Sequence, residues 1–175
     1  MFLELAFLYW VDKYRSLESS PPSYSPQLIS AGIHMDNAYR YENNLMDEAF
    51  TELKSRHAFS PKLRDRLREV FGERFTNGLE LASSGRVRRY EFKPSRRVVW
   101  VVEGRTNEYQ VIPDLPFCYC DDYYFRVMDR KRGLCYHIIA QRIAEALHQF
   151  KILHKSDSQY STITDRWRAK EPPSD

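Results

Sequence analysis

Four residues in two short pairs could bind a metal ion. Cys118 and Cys120 form a Cys-x-Cys pair, and Cys135 and His137 form a Cys-x-His pair after the 14 residues from 121 to 134. The two pairs contain all 3 cysteines of the chain. Three thiolates and one imidazole complete the tetrahedral shell of a structural zinc ion, and a closed shell leaves no position for a reacting water. The spacing therefore predicts one structural zinc ion held by these four residues.

The alternative is that the four residues are unrelated buried thiols and a surface histidine. Two features favour the metal site. Residues at i and i+2 project to one side of an extended strand, so Cys118 and Cys120 can converge. Cys135 and His137 lie at the predicted start of a helix, where the N-terminus favours a thiolate. Iron accepts similar donors, but no other feature of the sequence indicates redox chemistry, so the prediction is zinc.

The two pairs, their separation and the position of the second pair on a helix resemble the SWIM zinc-binding domain. The continuation Cys135-Tyr-His137-Ile-Ile-Ala140 resembles the longer C-x-H-x-x-A signature of one branch, the SWIM subunits of Shu-type recombination-mediator complexes. The resemblance extends over about residues 45–155. It also includes, in the expected order, Phe71-Gly72, Ala82-Ser83-Ser84-Gly85, the strand Val98–Val102 and the segment from Tyr109 to Phe117.

The resemblance implies an interaction protein. Members of this branch work with paralogues of the strand-exchange recombinase, so it implies a RecA-like recombinase paralogue as partner in homologous recombination and DNA repair, with single-stranded DNA as a second ligand to test. The alternative is an autonomous nucleic-acid-binding SWIM zinc domain in transcription or transposition. Ala140 and the short chain without a fused catalytic domain favour the first. The sequence has no phosphate-binding glycine-rich loop and no nucleophile elbow, so we expect no catalytic residue and no enzyme.

Basic residues gather in a predicted hairpin, with Glu91 as the local counter-charge and Tyr90 and Phe92 between them. The basic residues are Arg86, Arg88, Arg89, Lys93, Arg96 and Arg97. Cations along a phosphate backbone, with aromatic rings as stacking platforms, are typical of single-stranded nucleic acid binding. The alternative is that these cations block edge-to-edge strand pairing while Tyr90 and Phe92 face the core.

The 14 residues between the two metal-binding pairs carry both signs of charge. We predict that the cluster of Arg126, Arg130, Lys131 and Arg132 is a solvated loop. Asp121-Asp122, beside Cys120, could indicate a second metal. Paired carboxylates in this position more often cap a turn or hydrogen-bond the zinc shell, which is the prediction.

The elements that position these residues predict an α+β fold: N-terminal helices, then a small antiparallel sheet, then a zinc-stapled corner that leads into a C-terminal helix. Asn44 is predicted to cap a first helix, and Ser60-Pro61 to open a second. A short third helix or turn follows through Leu79 and Leu81. Three strands separated by turn signals come next: Arg86 to Lys93, Arg97 to Glu103 and Asn107 to Ile112.

Two of these elements are especially informative. Val98–Val102 has no polar alternation, so both faces of this strand should be covered, which makes it the central strand. The last helix, from about Leu134 to Phe150, carries Ile139 and Ile143 on its core side.

The domain organisation follows from composition. Residues 1–43 are predicted to be a poorly ordered extension, because residues 16–30 are rich in Ser and Pro. Residues 44–155 are predicted to form the helical segment plus the domain that resembles a SWIM zinc-binding domain, with a core of about 86–150, and residues 156–175 are predicted to form a flexible tail. The apolar start of the chain lacks a positive region and a cleavage site and is too short to span a bilayer. The 3 cysteines suit a metal site better than disulfides, so we expect an intracellular protein. It would be cytoplasmic in an archaeon or nuclear in a eukaryote. The net charge of +3 is mild, and we expect no membrane partner.

Overall fold

The computed structural model describes residues 26–129 and 131–168, with side chains from 37 to 129 and from 131 to 167. The described residues from Met35 onward belong to one compact unit, and residues 26–34, which are helical, belong to another. The helices are α1 Pro26–Arg56, α2 Pro61–Phe71, α3 Glu73–Ser83, α4 Tyr136–Ala146 and α5 Tyr160–Arg168. The strands are β1 Val87–Lys93, β2 Val98–Glu103, β3 Glu108–Ile112, β4 Phe117–Cys118 and β5 Lys151–Ser156. No helix within the described ranges is both long enough and apolar enough to cross a membrane.

Helix α1 begins 18 residues before the predicted start at Asn44, so that boundary is wrong. Asn44 lies inside the helix, and the side chain of Asn43 donates to the carbonyl of Tyr39 one turn earlier. The apolar face of this helix is formed by Leu45, Met46, Ala49 and Leu53, which are buried. The extension predicted for residues 1–43 is therefore helical from 26, and residues 1–25 lie outside the described residues.

The start of α2 agrees with the sequence. Ser60 is the N-cap of α2, and its hydroxyl accepts a hydrogen bond from the N–H of Leu63. Gly72 has φ of 54°, a left-handed conformation in which glycine is not strained, and it ends α2 by donating to the carbonyl of Arg68. The predicted short third helix is α3.

The sheet has five strands in the order β4-β3-β2-β1-β5. The first four strands pair antiparallel, as predicted, whereas β5 is parallel to β1. Strand β2 is central, and its side chains alternate between two hydrophobic clusters. Trp100 and Val102 belong to the main core beneath the helices, while Val99 and Val101 belong to a second core. The prediction that both faces of this strand are covered is confirmed.

The second core is formed by the C-terminal segment, which was predicted to be a flexible tail. Helix α5 places Trp167 against Tyr90, with ring centroids 5.1 Å apart. Tyr160, at the start of α5, packs edge-on against Phe92 with centroids 5.0 Å apart. The prediction of a flexible tail is therefore wrong for residues 157–168, because the second face of β2 needs an apolar cover. Residues 169–175 lie outside the described residues.

Candidate metal centre

The sheet positions the first pair of metal-binding residues. Cys118 lies in β4 opposite Val111 of β3. The N–H of Tyr119 then donates to the carbonyl of Gln110 over 3.2 Å, which extends the strand pairing by one residue. The chain turns after Cys120, whose sulfur accepts a hydrogen bond from the N–H of Tyr123 at 3.3 Å. The two sulfurs are thus held by the backbone at the edge of the sheet.

A helix positions the second pair. Cys135 is the N-cap of α4, with an extended backbone (φ −84°, ψ 162°). Its carbonyl accepts from the N–H of Ile139, and His137 lies in the first helical turn. The prediction that this pair lies at a helix start is confirmed.

The structure brings all four predicted ligands together. Their donor atoms lie within 4.8 Å of one another, and all four residues are buried. Neither ring nitrogen of His137 has a hydrogen-bond partner among the described residues. A buried imidazole without hydrogen-bond partners destabilises the folded state. Coordination of a metal ion by one of its nitrogens removes part of that cost. The donor set and its burial therefore fit a tetrahedral zinc ion.

Burial and mutual hydrogen bonds set the protonation of the three thiols. Burial raises the pKa of Cys118 and of Cys135 well above the ordinary range of a thiol. Hydrogen bonds from the thiols of Cys118 and Cys135 lower the pKa of Cys120, against the opposing effect of burial. Without a metal, the cluster therefore favours one thiolate stabilised by two neutral thiols. A zinc ion supplies the positive charge that stabilises three thiolates, and its binding releases protons.

The surroundings of His137 include residues that the sequence did not indicate as part of the site. The ring of Tyr136 stacks against it at 3.9 Å between centroids, and that of Tyr109 at 4.4 Å. Burial raises the pKa of Tyr136 to about 12. Gly104 is buried on the other side, and a Cβ atom there would lie 2.7 Å from Nε2 of His137. Gly104 lies in the turn between the second and third predicted strands, and its sequence position gave no indication of a contact with the site.

Ala140 is fully buried and lies one helical turn after His137, on the same side of α4. This placement agrees with a packing role for the signature residue. Asp122, in the pair of carboxylates beside Cys120, forms ion pairs with Arg126 at 3.2 Å and with Arg132 at 3.7 Å. Those contacts lie in the segment between the two ligand pairs, residues 121–134, which we call the zinc linker. Arg130, also predicted in this cluster, lies outside the described residues.

Three of the six basic residues of the arginine-rich hairpin form ion pairs with carboxylates of the same chain. Arg88 forms ion pairs with Glu103 and Glu108, and Arg89 lies 3.3 Å from Glu91. Arg97 lies 3.8 Å from Asp157. Within the described ranges, three members of the cluster have no ion pair: Arg86, Lys93 and Arg96.

The aromatic residues of that hairpin are buried. Tyr90 and Phe92 form the second core with Trp167, so they cannot serve as stacking platforms. The part of the alternative in which these rings face a core is confirmed. The part in which the cations protect a sheet edge is wrong for β1, because β1 is paired with β2 on one side and with β5 on the other. Nucleic-acid contacts by the six basic residues stay a prediction.

Two exposed aromatic residues lie next to each other on the zinc linker. Tyr124 and Phe125 are 54% and 48% exposed, and their rings meet edge to face with centroids 5.3 Å apart. They project from a single π-helical turn, Tyr123–Val127, whose two end residues are buried. The sequence did not single out this pair.

Three thiols and one imidazole, divided between a strand and the start of a helix, fit one structural zinc ion, and their order Cys-x-Cys and Cys-x-His resembles that of a SWIM-type zinc finger. The comparison with known proteins agrees. The chain is similar to the zinc finger SWIM domain-containing protein 7 homolog of Dictyostelium discoideum, with 30% identity over 95 residues. The matched region is 53% of this chain and 61% of that relative. No family model and no solved structure matches the chain.

Proposed function

We propose that this chain is a non-catalytic interaction protein whose zinc ion fixes the shape of a partner-binding loop. The partner class that we propose is a RecA-like recombinase paralogue, in homologous recombination and DNA repair. The observation that carries the proposal is the exposed pair Tyr124 and Phe125 on the zinc linker.

The zinc linker has the features of a binding loop. Tyr123 and Val127 are buried and anchor the π-helical turn, while the two aromatic rings between them face solvent. π-Helical turns occur often at functional sites, and large aromatic residues are enriched at protein interfaces. Cys120 at one end of the linker and Cys135 at the other tie the loop to the metal. The zinc ion would therefore reduce the entropy that the loop loses on binding.

The charges around the aromatic pair favour a protein over a nucleic acid. Arg126 and Arg132 share the carboxylate of Asp122, and Lys131 lies 3.0 Å from Asp129. A phosphate backbone would have to compete with these carboxylates for the cations. A rim of paired charges around an aromatic centre is typical of protein–protein contacts.

The proposed class of partner and the proposed absence of catalysis are supported by two different features of the chain. The identity of the partner as a recombinase paralogue comes from the C-x-H-x-x-A resemblance that ends at Ala140. The expectation of no catalysis comes from the donor set, because four protein ligands fill a tetrahedral zinc shell and leave no position for a reacting water.

Affinity purification of the tagged chain from its native cell, followed by mass spectrometry, tests the proposal. We expect a RecA-like protein to co-purify with the wild-type chain, and the variant Tyr124→Ser/Phe125→Ser to lose it while keeping its zinc content and melting temperature. Ile152→Ser is the matched control, because Ile152 is also 48% exposed but lies on β5. Recovery of no RecA-like protein with the wild-type chain would contradict the partner assignment. Loss of the partner in the Ile152 control as well would contradict the assignment of the surface.

The second candidate is an autonomous nucleic-acid-binding domain in transcription or transposition. Its support is that Arg86, Lys93 and Arg96 have no ion pair within the described part of the chain, and the last two are exposed. Under this candidate, Lys93→Glu/Arg96→Glu weakens binding of the purified chain to single-stranded DNA and flattens the salt dependence of that binding. Tight binding without any partner protein, abolished by these two substitutions, would favour this candidate over the first.

A further inference from the structure

A buried ion pair connects α1 and α3 to the zinc linker. Glu42 of α1 and Arg74 of α3 form a two-pronged salt bridge, with both N–O distances at 2.8 Å. Only 8% of Glu42 is exposed to solvent. The desolvation penalty of a buried ion pair is offset only when the remaining donors and acceptors of both side chains also form hydrogen bonds. The other partners of this pair therefore indicate its role.

Those partners are backbone groups immediately before a zinc ligand. Oε2 of Glu42 accepts hydrogen bonds from the N–H of Gly133 at 2.8 Å and from the N–H of Leu134 at 3.2 Å. Nη1 of Arg74 donates to the carbonyl of Leu134 at 2.6 Å. The next residue in the chain is Cys135. Both backbone polar groups of Leu134 are thus fixed by one ion pair.

Gly133 allows the carboxylate to come this close. A Cβ atom at position 133 would lie 2.7 Å from Cβ of Glu42 and 2.9 Å from the carbonyl oxygen of Tyr39. Any side chain would push the linker away from α1. The contact therefore requires both the acid and the glycine, although they are 91 residues apart in sequence.

The two halves of the zinc site are held by different means. Cys118 and the residue after it are positioned by strand pairing with β3. Residues 131–135, which are all described, lie outside any helix or strand, so no regular backbone pairing positions Cys135 from the N-terminal side. The Glu42–Arg74 pair provides the missing constraint.

We propose that Glu42 and Arg74 are positioning residues for the zinc ion: they hold the backbone of Gly133 and Leu134 so that Cys135 and His137 meet Cys118 and Cys120. This role extends the zinc site to a helix that precedes it by more than 60 residues in sequence. The physical basis is the one that applies to outer-shell groups in metal proteins, whose loss typically lowers metal affinity by about 10–100-fold.

The test measures zinc release from the full chain to a chromogenic chelator at a temperature where every variant stays folded. We expect Glu42→Gln, which keeps the shape but removes the charge, to release zinc about 10-fold faster than the wild type. The cobalt(II)-substituted variant should also show a changed visible spectrum, because the sulfur and nitrogen donors around the metal are displaced. Arg74→Lys retains the charge and one donor, and we expect a smaller increase. If Glu42→Gln does not fold, Arg74→Lys decides the question by the same two measurements.

Two controls separate positioning from general stability. Glu48→Gln makes the same substitution in the same helix, at an exposed ion pair with Arg66. Leu53→Ala opens the core beneath α1 about 16 Å along the helix from Glu42. We expect both controls to keep the wild-type release rate and cobalt spectrum, although Leu53→Ala lowers the melting temperature. Equal acceleration in Leu53→Ala, or a wild-type rate and spectrum in Glu42→Gln and Arg74→Lys, would overturn the proposal.

Discussion

Gly104 lies directly against His137. A Cβ atom at position 104 would fall 2.7 Å from Nε2 of the histidine and 2.8 Å from Cε2 of Tyr109. Distances of this size lie well inside van der Waals contact, so an added methyl group must displace a ring. The turn between β2 and β3 therefore forms one wall of the metal site, and the absence of a side chain is what lets the fourth ligand occupy its place.

Gly104→Ala should weaken zinc binding because the methyl group pushes the His137 ring out of the donor set. We expect a loss of stability of about 1–3 kcal/mol, the usual cost of overpacking, together with faster release of zinc to a chelator. The measurements are thermal denaturation and zinc release.

Gly72→Ala is the control for this prediction. Gly72 has φ of +54° and nothing within 4 Å of the added methyl group, so its replacement strains the backbone without touching the site. It should lower stability by a similar amount and leave zinc release unchanged. Similar zinc release in the two variants would contradict the steric explanation.

Cys135→Ser should remove the zinc ion and unfold the junction between β4 and α4. Structural zinc sites contribute about 10–16 kcal/mol of apparent binding free energy, which is comparable to the whole stability of a domain. We expect less than half an equivalent of zinc by elemental analysis and a less cooperative melting curve. An unchanged zinc content and melting curve would show that Cys135 is not a ligand.

The metal ligands could be predicted from sequence because their signal is local. Cys118 and Cys120 are two residues apart, as are Cys135 and His137, and each pair needs only one element to orient it. The positions that frame the site could not be predicted in the same way. Glu42 reaches Gly133 across 91 residues, and Gly104 contacts His137 from a turn in the sheet, so these pairs carry no signal in spacing.

The fold shows the same division between local and distant signals. The cap at Ser60 and the run Val98–Val102 correctly predicted a helix start and a central strand. Strand β5 has lysines at positions 151 and 155, and four of its six residues are exposed, so it lacks the apolar pattern of a buried strand. The uninterrupted apolar run Val98–Val102 indicated that something covers the second face of the sheet, but only the folded chain identifies the cover as Trp167 and its helix.

Ala140→Leu should separate α4 from the elements packed against it, because position 140 has no exposed surface to accept a larger side chain. We expect destabilisation of about 1–3 kcal/mol, measured by chemical denaturation of the zinc-loaded protein. Gln149→Leu, at an exposed position just after the helix, controls for the added hydrophobicity. Full stability and full partner binding in Ala140→Leu would show that the signature residue has no packing role.

Glu108 should give the attachment of α5 a pH dependence. Burial alone would raise the pKa of this carboxyl, but hydrogen bonds from Nε1 of Trp167, at 3.1 Å, and from Arg88 lower its pKa below the usual range. A carboxyl whose pKa is lower in the folded state contributes stability above its unfolded pKa and loses that contribution as the pH falls through its folded pKa. Glu108→Gln should therefore be less stable than the wild type at pH 7, by on the order of 1 kcal/mol given the partial exposure of the group.

The difference in unfolding free energy between wild type and Glu108→Gln should stay constant from pH 8 to about pH 5 and shrink below about pH 4.3, the ordinary pKa of a glutamate. Denaturant titrations of both proteins at each pH measure this difference, in which the common effect of zinc loss at acid pH cancels. Trp167→Phe, which keeps an aromatic ring against Tyr90 but removes the N–H donor, should reduce the difference at pH 7 because Glu108 then keeps only its contact with Arg88. A difference that grows as the pH falls would mean that the pKa of Glu108 is raised in the folded protein, and α5 would then be held by its apolar contacts alone.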